Sequence, residues 1–496
     1  MQLTVSHVTF MRTILVTCTV ASAAPAIASV PVLASPQRLS DSLGQANDAA
    51  GYAVAAAGDL VLVGSRGADP GAQNAGKVCV FRRSGAGWVQ AGNVAEPFPS
   101  SQAQFGRSLA VSEAHAVIGA RSADGSGRAW VHARSASGVS VTGVLLAAPV
   151  QPGDGFGESV AIDGDWIAVG APMRAGGGAV EIFRRSGSEW THVQTVAAVE
   201  AAPAGLRFGA SVALAGSALA VGCPGDPTGG AEAGGVRVFR RGASGSWEPE
   251  ASVTAGDAAA GDLFGAAVAL SGDRLLVGAY RADGAIADAG AAYVFRRSGS
   301  AWNFAQKLVP ENSLGQADFG YAVAMSGDAI AVGAPAAVVA GSRAGTVYLY
   351  REVGSQAVPV LRTGGPGGIG NEFSGTSVAL TPQVLAAGAP LATTNSPYAG
   401  ATIALDYAAD CDADASPDAL EIATGASDLN GDGIPDSCQC TGDLNGDGSV
   451  GGQDLGVLLG FWGTTASTFP RADINRDGLV TGADLGVLLS QWGPCG

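Results

Sequence analysis

One stretch recurs along most of this 496-residue chain: FGYAVAMSGDAIAVGAP, Phe319 to Pro335. FGESVAIDGDWIAVGAP begins at Phe156, FGASVALAGSALAVGCP at Phe208 and FGAAVALSGDRLLVGAY at Phe264. Weaker copies are FGRSLAVSEAHAVIGAR from Phe105 and FSGTSVALTPQVLAAGAP from Phe373, while GYAVAAAGDLVLVGSR from Gly51 lacks the Phe. The equivalent glycines are Gly51, Gly106, Gly157, Gly209, Gly265, Gly320 and Gly375, spaced by 55, 51, 52, 56, 55 and 55 residues. A fixed period of this size is the mark of a repeat architecture.

Each copy reads as strands. An apolar run such as SVAI follows the FG, then a tight polar turn (DGD, SGD or AGD), then a run such as WIAVG ending in GAP. A Gly-rich loop leads to a third run, such as AVEIF, that ends in FRRSG. A Trp then opens a more polar fourth run, at Trp88, Trp190, Trp247 and Trp302. Short runs bounded by Gly, Ser and Asp are strand and hairpin signals. Four strands per unit of about 50 residues make a β-propeller blade, so the chain is expected to be all-β, with a seven-bladed propeller over residues 29–409. QRLSDSLGQANDAAGYAVA from Gln37 parallels QKLVPENSLGQADFGYAVA from Gln306, where QKL is a fourth strand. The segment around Pro31 to Leu39 therefore reads as a fourth strand without a blade, and the seventh repeat stops after its third strand, Ala401 to Tyr407. The N-terminal strand should complete blade seven and remove an open sheet edge.

The FG…GAP residues resemble the FG-GAP repeats of integrin-type β-propellers. In that family the turn before the GAP strand is often a calcium-binding DxDxDG loop. Here it is shortened to Asp163-Gly164-Asp165, Ser271-Gly272-Asp273 or Ser326-Gly327-Asp328, so no calcium is expected in these hairpins.

The net charge is −16, and from Asp410 onward fourteen acids face two bases, Arg471 and Arg476. No basic patch points to nucleic acid. Met11-Arg12, the run TILVTCTVASAAPAIAS and Ala26-Ile27-Ala28 read as a secretory signal over residues 1–28. Its removal leaves six cysteines, and export allows disulfides. Cys411–Cys438 with Cys440–Cys495 is the favoured pairing of the three available to the tail, each bracketing a metal-loop segment, whereas Cys79 and Cys223 read as buried free thiols.

Four tail segments carry the EF-hand spacing of oxygen ligands at positions 1, 3, 5, 7, 9 and 12. DLNGDGSVGGQD offers Asp443, Asn445, Asp447, the Ser449 carbonyl and Asp454; DINRDGLVTGAD offers Asp473, Asn475, Asp477, the Leu479 carbonyl and Asp484. DCDADASPDALE offers Asp410, Asp412, Asp414, Ser416, Asp418 and Glu421, and DLNGDGIPDSCQ offers Asp428, Asn430, Asp432 and Asp436. Such donors suit calcium. Both better loops run into DLGVLL, whose Leu455, Leu458, Leu459 and Leu485, Leu488, Leu489 fall at helical spacing. This duplication resembles the dockerin module of cellulosomal enzymes, and the closing WGPCG resembles the variant on exported planctomycete-type bacterial proteins. The resemblance implies a small α-helical calcium-loop module over 441–496 and a cohesin-like or cell-surface partner. Loop positions 10 and 11 hold Gly452-Gln453 and Gly482-Ala483 instead of the Ser/Thr pairs that dockerins use, which argues against a standard cohesin. Residues 410–440 resemble thrombospondin type 3 calcium repeats, a metal-stiffened linker.

A catalytic constellation is not apparent. His7, His115, His132 and His192 have no partner at a recognisable spacing, and no nucleophile elbow or phosphate loop occurs. The expectation is a secreted bacterial binding, adhesion or structural propeller with a glycan or protein ligand. The alternative is a polysaccharide-degrading enzyme on a propeller scaffold, a function that fold alone does not establish.

Overall fold

The computed structural model describes residues 37–407, apart from 85–86, 136–137, 147–148, 199–202, 204, 284–285, 311–315, 340 and 365–370, together with 442, 444, 449–465, 472–474 and 478–494. Seven four-stranded antiparallel sheets form a propeller. Blade one is Ala50–Ala57, Leu60–Ser65, Lys77–Ser84 and Gly87–Ala95. Blade two is Phe105–Val111, His115–Ala120, Arg128–Ser135 and Gly138–Leu145. Blade three is Val160–Asp163, Trp166–Ala171, Ala179–Ser186 and Glu189–Ala197. Blade four is Ser211–Ala215, Ala218–Cys223, Gly235–Arg241 and Trp247–Val253. Blade five is Ala267–Ser271, Arg274–Ala279, Ala291–Ser298 and Ala301–Leu308. Blade six is Ala322–Ser326, Ala329–Ala334, Thr346–Val353 and Gln356–Gly364. His115 opens the second strand of blade two.

Blade seven takes Ser377–Leu380, Val384–Ala389 and Ala401–Asp406 from the C-terminal side and Gln37–Leu39 from the N-terminal side. Gln37 lies opposite Ala404 and Leu39 opposite Thr402. The Gln37 amide brackets the backbone of Trp88, accepting from its N–H at 2.8 Å and donating to its carbonyl at 2.9 Å. Gln306 makes the same pair of bonds to Ala357, and Gln194 to Trp247. The equivalence of Gln37 with Gln306 is thus structural as well as sequential.

The repeated motif maps onto the joints between blades. Every FG glycine has φ between 85° and 90°, a conformation that costs a residue with a Cβ. The GAP glycine of each blade packs directly on the carbonyl of the next blade's FG glycine, so a Cβ on Gly170, Gly222 or Gly388 would collide with the carbonyl of Gly209, Gly265 or Gly51. The hydroxyls of Ser108, Ser159, Ser211 and Ser377 donate at 2.8 Å to the carbonyls of Gly157, Gly209, Gly265 and Gly51, the last of these across the closure. The FG phenylalanines of blades two to six are 0–1% exposed, and their N–H groups donate to the residue before the left-handed Gly that immediately precedes the preceding blade's third strand. The blade-seven copy is offset by one: Ser374, not Phe373, bridges to Gly345 and donates to Ala344, as Phe319 does to Gly290 and Ala289. Val, Leu, Ile and Ala on facing sheets fill the space between blades. The third and fourth strands of blades one, three, four, five and six share a β-bulge just before the FRR-type aromatic residue. The second Arg of FRR therefore lies opposite the Trp: Arg83 with Trp88, Arg185 with Trp190, Arg241 with Trp247, Arg297 with Trp302.

In the tail, α1 (Gly452–Gly460) and α2 (Gly482–Ser490) pack around Leu444, Val450, Leu458, Ala472, Val480 and Leu488. The expected leucine stripe is only partly inward, for Leu459 and Leu489 are 52% and 51% exposed. No helix among the described residues is long and apolar enough to cross a membrane.

A Cβ at a blade joint should cost far more than one at an open turn. Gly222→Ala is expected to lower unfolding free energy by ~3 kcal/mol or more, against about 1 kcal/mol for Gly216→Ala, where only the positive φ is strained. Chemical denaturation of the two variants measures this, and equal losses would contradict the joint's role.

Candidate functional site

In a ring of near-identical units, a site is a departure from the repeat. Two positions point into one mouth of the central channel: the residue after FG, which starts the innermost strand, and the third residue of GAP, which follows the second strand. Blades four and seven hold Ala210, Pro224, Thr376 and Pro390 there. Blades one, two, three, five and six instead bring Tyr52 and Arg66, Arg107 and Arg121, Glu158, Tyr280, and Tyr321.

Tyr52, Arg66, Arg107, Arg121 and Glu158 form one connected group, and Tyr280 and Tyr321 pair close to it. Glu158 accepts from Arg107 Nη2 at 2.7 Å and pairs with Arg121 Nε at 3.0 Å. Arg107 also donates to the Tyr52 hydroxyl. The Arg66 guanidinium lies 3.6 Å from the centre of the Tyr52 ring, and that of Arg107 lies 4.6 Å from it. Tyr280 and Tyr321 meet edge to face at 5.2 Å. Burial pushes the Tyr321 hydroxyl up to about 12, with Tyr52 and Tyr280 adding to the rise and Arg107 and Arg66 opposing it. Tyr321 is a hydrogen-bonding and stacking group at neutral pH, not a ready base. Burial holds Arg66 below its ordinary value, and Arg107 nearby adds to this. Arg107 is raised despite burial, through Tyr52 and Glu158. Among the described residues Arg66 forms no ion pair, so this half-buried guanidinium presents uncompensated charge at the mouth.

The other face is the hairpin side, where arginines ending the third strands meet acids. Arg134 reaches Asp59 at 2.8 Å, Arg185 reaches Asp165 at 2.7 Å, and Arg351 pairs with Asp328. Glu250 accepts from Arg240, Arg297 and the Trp302 indole, and Glu352 binds Arg274 and Arg296. FRRSG therefore marks a blade-to-turn tie in most copies. A cavity of about 500 Å³ opens on this side among Ala57, Ser112, His115, Asp163 and Thr381. His115 rests edge-on against Trp190 at 5.5 Å, and burial lowers its pKa. His132 is fully buried and bonds the Ser140 carbonyl at 2.8 Å; His192 bonds Glu181 at 2.5 Å beside Arg174. Cys79 and Cys223 are buried free thiols whose pKa values burial pushes up to about 12.

Of the tail's expected ligands, the structure describes Ser449, Asp454, Asp473, Leu479 and Asp484. Asp454 and Asp484 sit at the third position of α1 and α2, 1% and 0% exposed, and accept from the N-cap amides of Gly451 and Thr481 at 2.8 and 2.7 Å. Asp454 also accepts from Leu444 N–H at 2.9 Å. Asp473, 4% exposed, accepts from Gly478 N–H at 2.9 Å, which links loop positions 1 and 6. Ser449 pairs with Pro494, and Leu479 with Thr465. Asp443, Asn445, Asp447, Asn475, Asp477 and the whole set from Asp410 to Asp436 lie outside the described residues, as do Cys411, Cys438, Cys440, Cys495 and residues 1–28. Among the described residues no three metal-ligating side chains converge.

Residues 35–81, 140–183, 247–295 and 302–350 match the family model of the FG-GAP repeat. This propeller carries FG-GAP repeats. Each matched segment begins near the fourth strand of one blade and ends with the third strand of the next, so the FG-GAP unit straddles two blades and leaves a fourth strand over at the N-terminus. No curated protein matches the chain. Among solved structures, one of a putative 6-phosphogluconolactonase from Bacteroides uniformis is 13% identical, with a TM-score of 0.44, covering 63% of this chain and 84% of that one. A likeness this loose carries no argument.

The hairpin-side ion pairs predict an acid response. Burial opposes ionisation of Glu250, but Arg297, Arg240 and Trp302 outweigh it and pull its pKa down to about 2. A depressed carboxylate stabilises the fold above its unfolded pKa and loses that contribution as pH falls through its folded one. Wild type should therefore lose stability more steeply than Glu250→Gln between about pH 5 and pH 2, by acid-dependent thermal unfolding. Parallel curves would show that Glu250 is not part of the response.

Proposed function

We propose that this chain is a secreted, non-enzymatic binding propeller of a bacterium that holds a glycan at its FG-side mouth and is tethered through a calcium-dependent, dockerin-like tail. The mouth carries the reading: three tyrosines supply ring faces and edges, and Arg66, with no ion pair among the described residues, supplies a cation for a carboxylate or hydroxyl-rich ligand. Blades four and seven hold only Ala, Pro and Thr at these positions, so strand geometry alone does not require the cluster. Residues 1–28 would direct export.

A second reading, a polysaccharide-degrading enzyme, draws on the same mouth, because Glu158 converges there with basic and aromatic groups. Arg107 and Arg121 hold it in place, which favours a positioning carboxylate.

In the tail, Asp443, Asn445, Asp447, Ser449, Asp454 and Asp473, Asn475, Asp477, Leu479, Asp484 would hold calcium, which cross-links each loop by binding oxygen. The buried carboxylates of Asp454, Asp473 and Asp484 fit such a role. The tail also exposes Leu459 with Trp462 and Leu489 with Trp492, a duplicated apolar surface suited to a protein partner.

Two measurements test this. The full chain is passed over plant and algal polysaccharides while product release is followed; retention without products is expected, and Arg66→Ala should weaken it about tenfold. New reducing ends or unsaturated products would establish the second reading. Calcium titration by calorimetry should show binding that is reduced in Asp454→Asn/Asp484→Asn, and heat changes absent from wild type would remove the tethering model.

A further inference from the structure

The arginines that end the third strands are neutralised almost throughout the hairpin face. Ten occupy these positions, and eight meet a carboxylate, through Asp59, Asp165, Asp328, Asp406, Glu250 or Glu352. The exceptions are Arg184 of blade three and Arg241 of blade four, which form no ion pair among the described residues. Both lie over the same indole, with guanidinium carbons 5.4 and 4.6 Å from the centre of Trp166.

The sequence supplies the reason for Arg241. The turn between the first and second strands ends in Asp59, Asp165, Asp273 and Asp328 in blades one, three, five and six. Blade four ends its turn in Ser217. Arg185 and Arg297 take the turn acid of their own blades, whereas Arg241 finds only the Gly216 carbonyl, at 3.4 Å. Asp165 is already held by Arg185, which leaves Arg184 without it. Two like charges on one ring repel each other at a cost that a counter-anion removes. The indole itself is fixed, 7% exposed and edge-on to Trp247 at 5.7 Å.

A concavity of about 300 Å³ opens between these groups, bounded by Trp166, Arg184, Ser217, Arg241 and the Gly242–Gly245 loop. Ser217 Oγ accepts from Arg240 at 2.9 Å, which leaves its own proton to donate. Two planar guanidinium forks and a hydroxyl match the oxygens of a tetrahedral anion. We propose that this inter-blade pocket binds a sulfate- or phosphate-type oxyanion borne on a polyanionic polysaccharide. The site lies on the face opposite the tyrosine mouth and does not depend on it.

The test uses the full chain in affinity electrophoresis through dextran sulfate and neutral dextran, with calorimetric titration of inorganic sulfate alongside. Retardation by dextran sulfate alone is expected. Arg184→Gln/Arg241→Gln should weaken it about tenfold or more. Ser217→Asp should weaken it similarly while preserving thermal stability, because it restores to Arg241 the acid that other blades provide. Arg297→Gln, which removes a neutralised arginine, should leave retardation unchanged. Sulfate titration separates the sources: heat lost in the double variant assigns the pocket to the free ion as well, and heat absent from wild type restricts it to the polymer-borne group. Retardation equal in wild type and the double variant would overturn the proposal, as would loss in Arg66→Gln with the double variant unaffected.

Discussion

The whole ring depends on a contact in which no side chain takes part. At each blade joint a GAP glycine lies on the carbonyl of the next blade's FG glycine, and the FG glycine needs a left-handed φ to turn that carbonyl inward. This brings adjacent innermost strands to backbone contact and sets the spacing at which the buried phenylalanines and the Val, Leu and Ile layers interlock. Serines reinforce the joint where they occur and alanines take their place where they do not. The glycines are invariant among the seven copies, because only they admit the approach.

Closure repeats the same contact between the ends of the chain. Gly388 meets Gly51 as any GAP glycine meets its neighbour, Ser377 bonds across the seam, and Gln37 clamps Trp88 on the outer rim. Because the FG-GAP unit straddles two blades, the first unit brings a spare outer strand, and blade seven lacks one. The ring consequently joins by hydrogen bonds between residues more than 350 apart in sequence, Gln37 opposite Ala404.

Regularity also locates function. Most copies neutralise their hairpin-side arginines, and blades four and seven keep only small residues at the channel mouth; departures from those patterns stand out as uncompensated charge or added aromatic surface. Arg66 with Tyr52 on one face, and Arg184 with Arg241 over Trp166 on the other, are such exceptions. Each leaves positive charge without an ion pair among the described residues.

The period of FG and GAP, together with the parallel between Gln37 and Gln306, made the blade number and the closing strand legible from sequence alone. Both are properties of order along the chain, and alternating apolar runs report strands directly. The free, buried state of Cys79 and Cys223 was legible for the same reason, since they sit in strands of separate blades. What pairs with what was not. The FRR arginines looked like hairpin markers; their carboxylates come from turns about 20 residues away or from a neighbouring blade, and a bulge that sequence does not reveal sets which Arg faces the Trp. The mouth cluster was not legible because its members are 14 to 122 residues from their sequence neighbours and unremarkable singly. They become a site only when the ring places the same two register positions of five blades around one axis, which is a decision of tertiary structure.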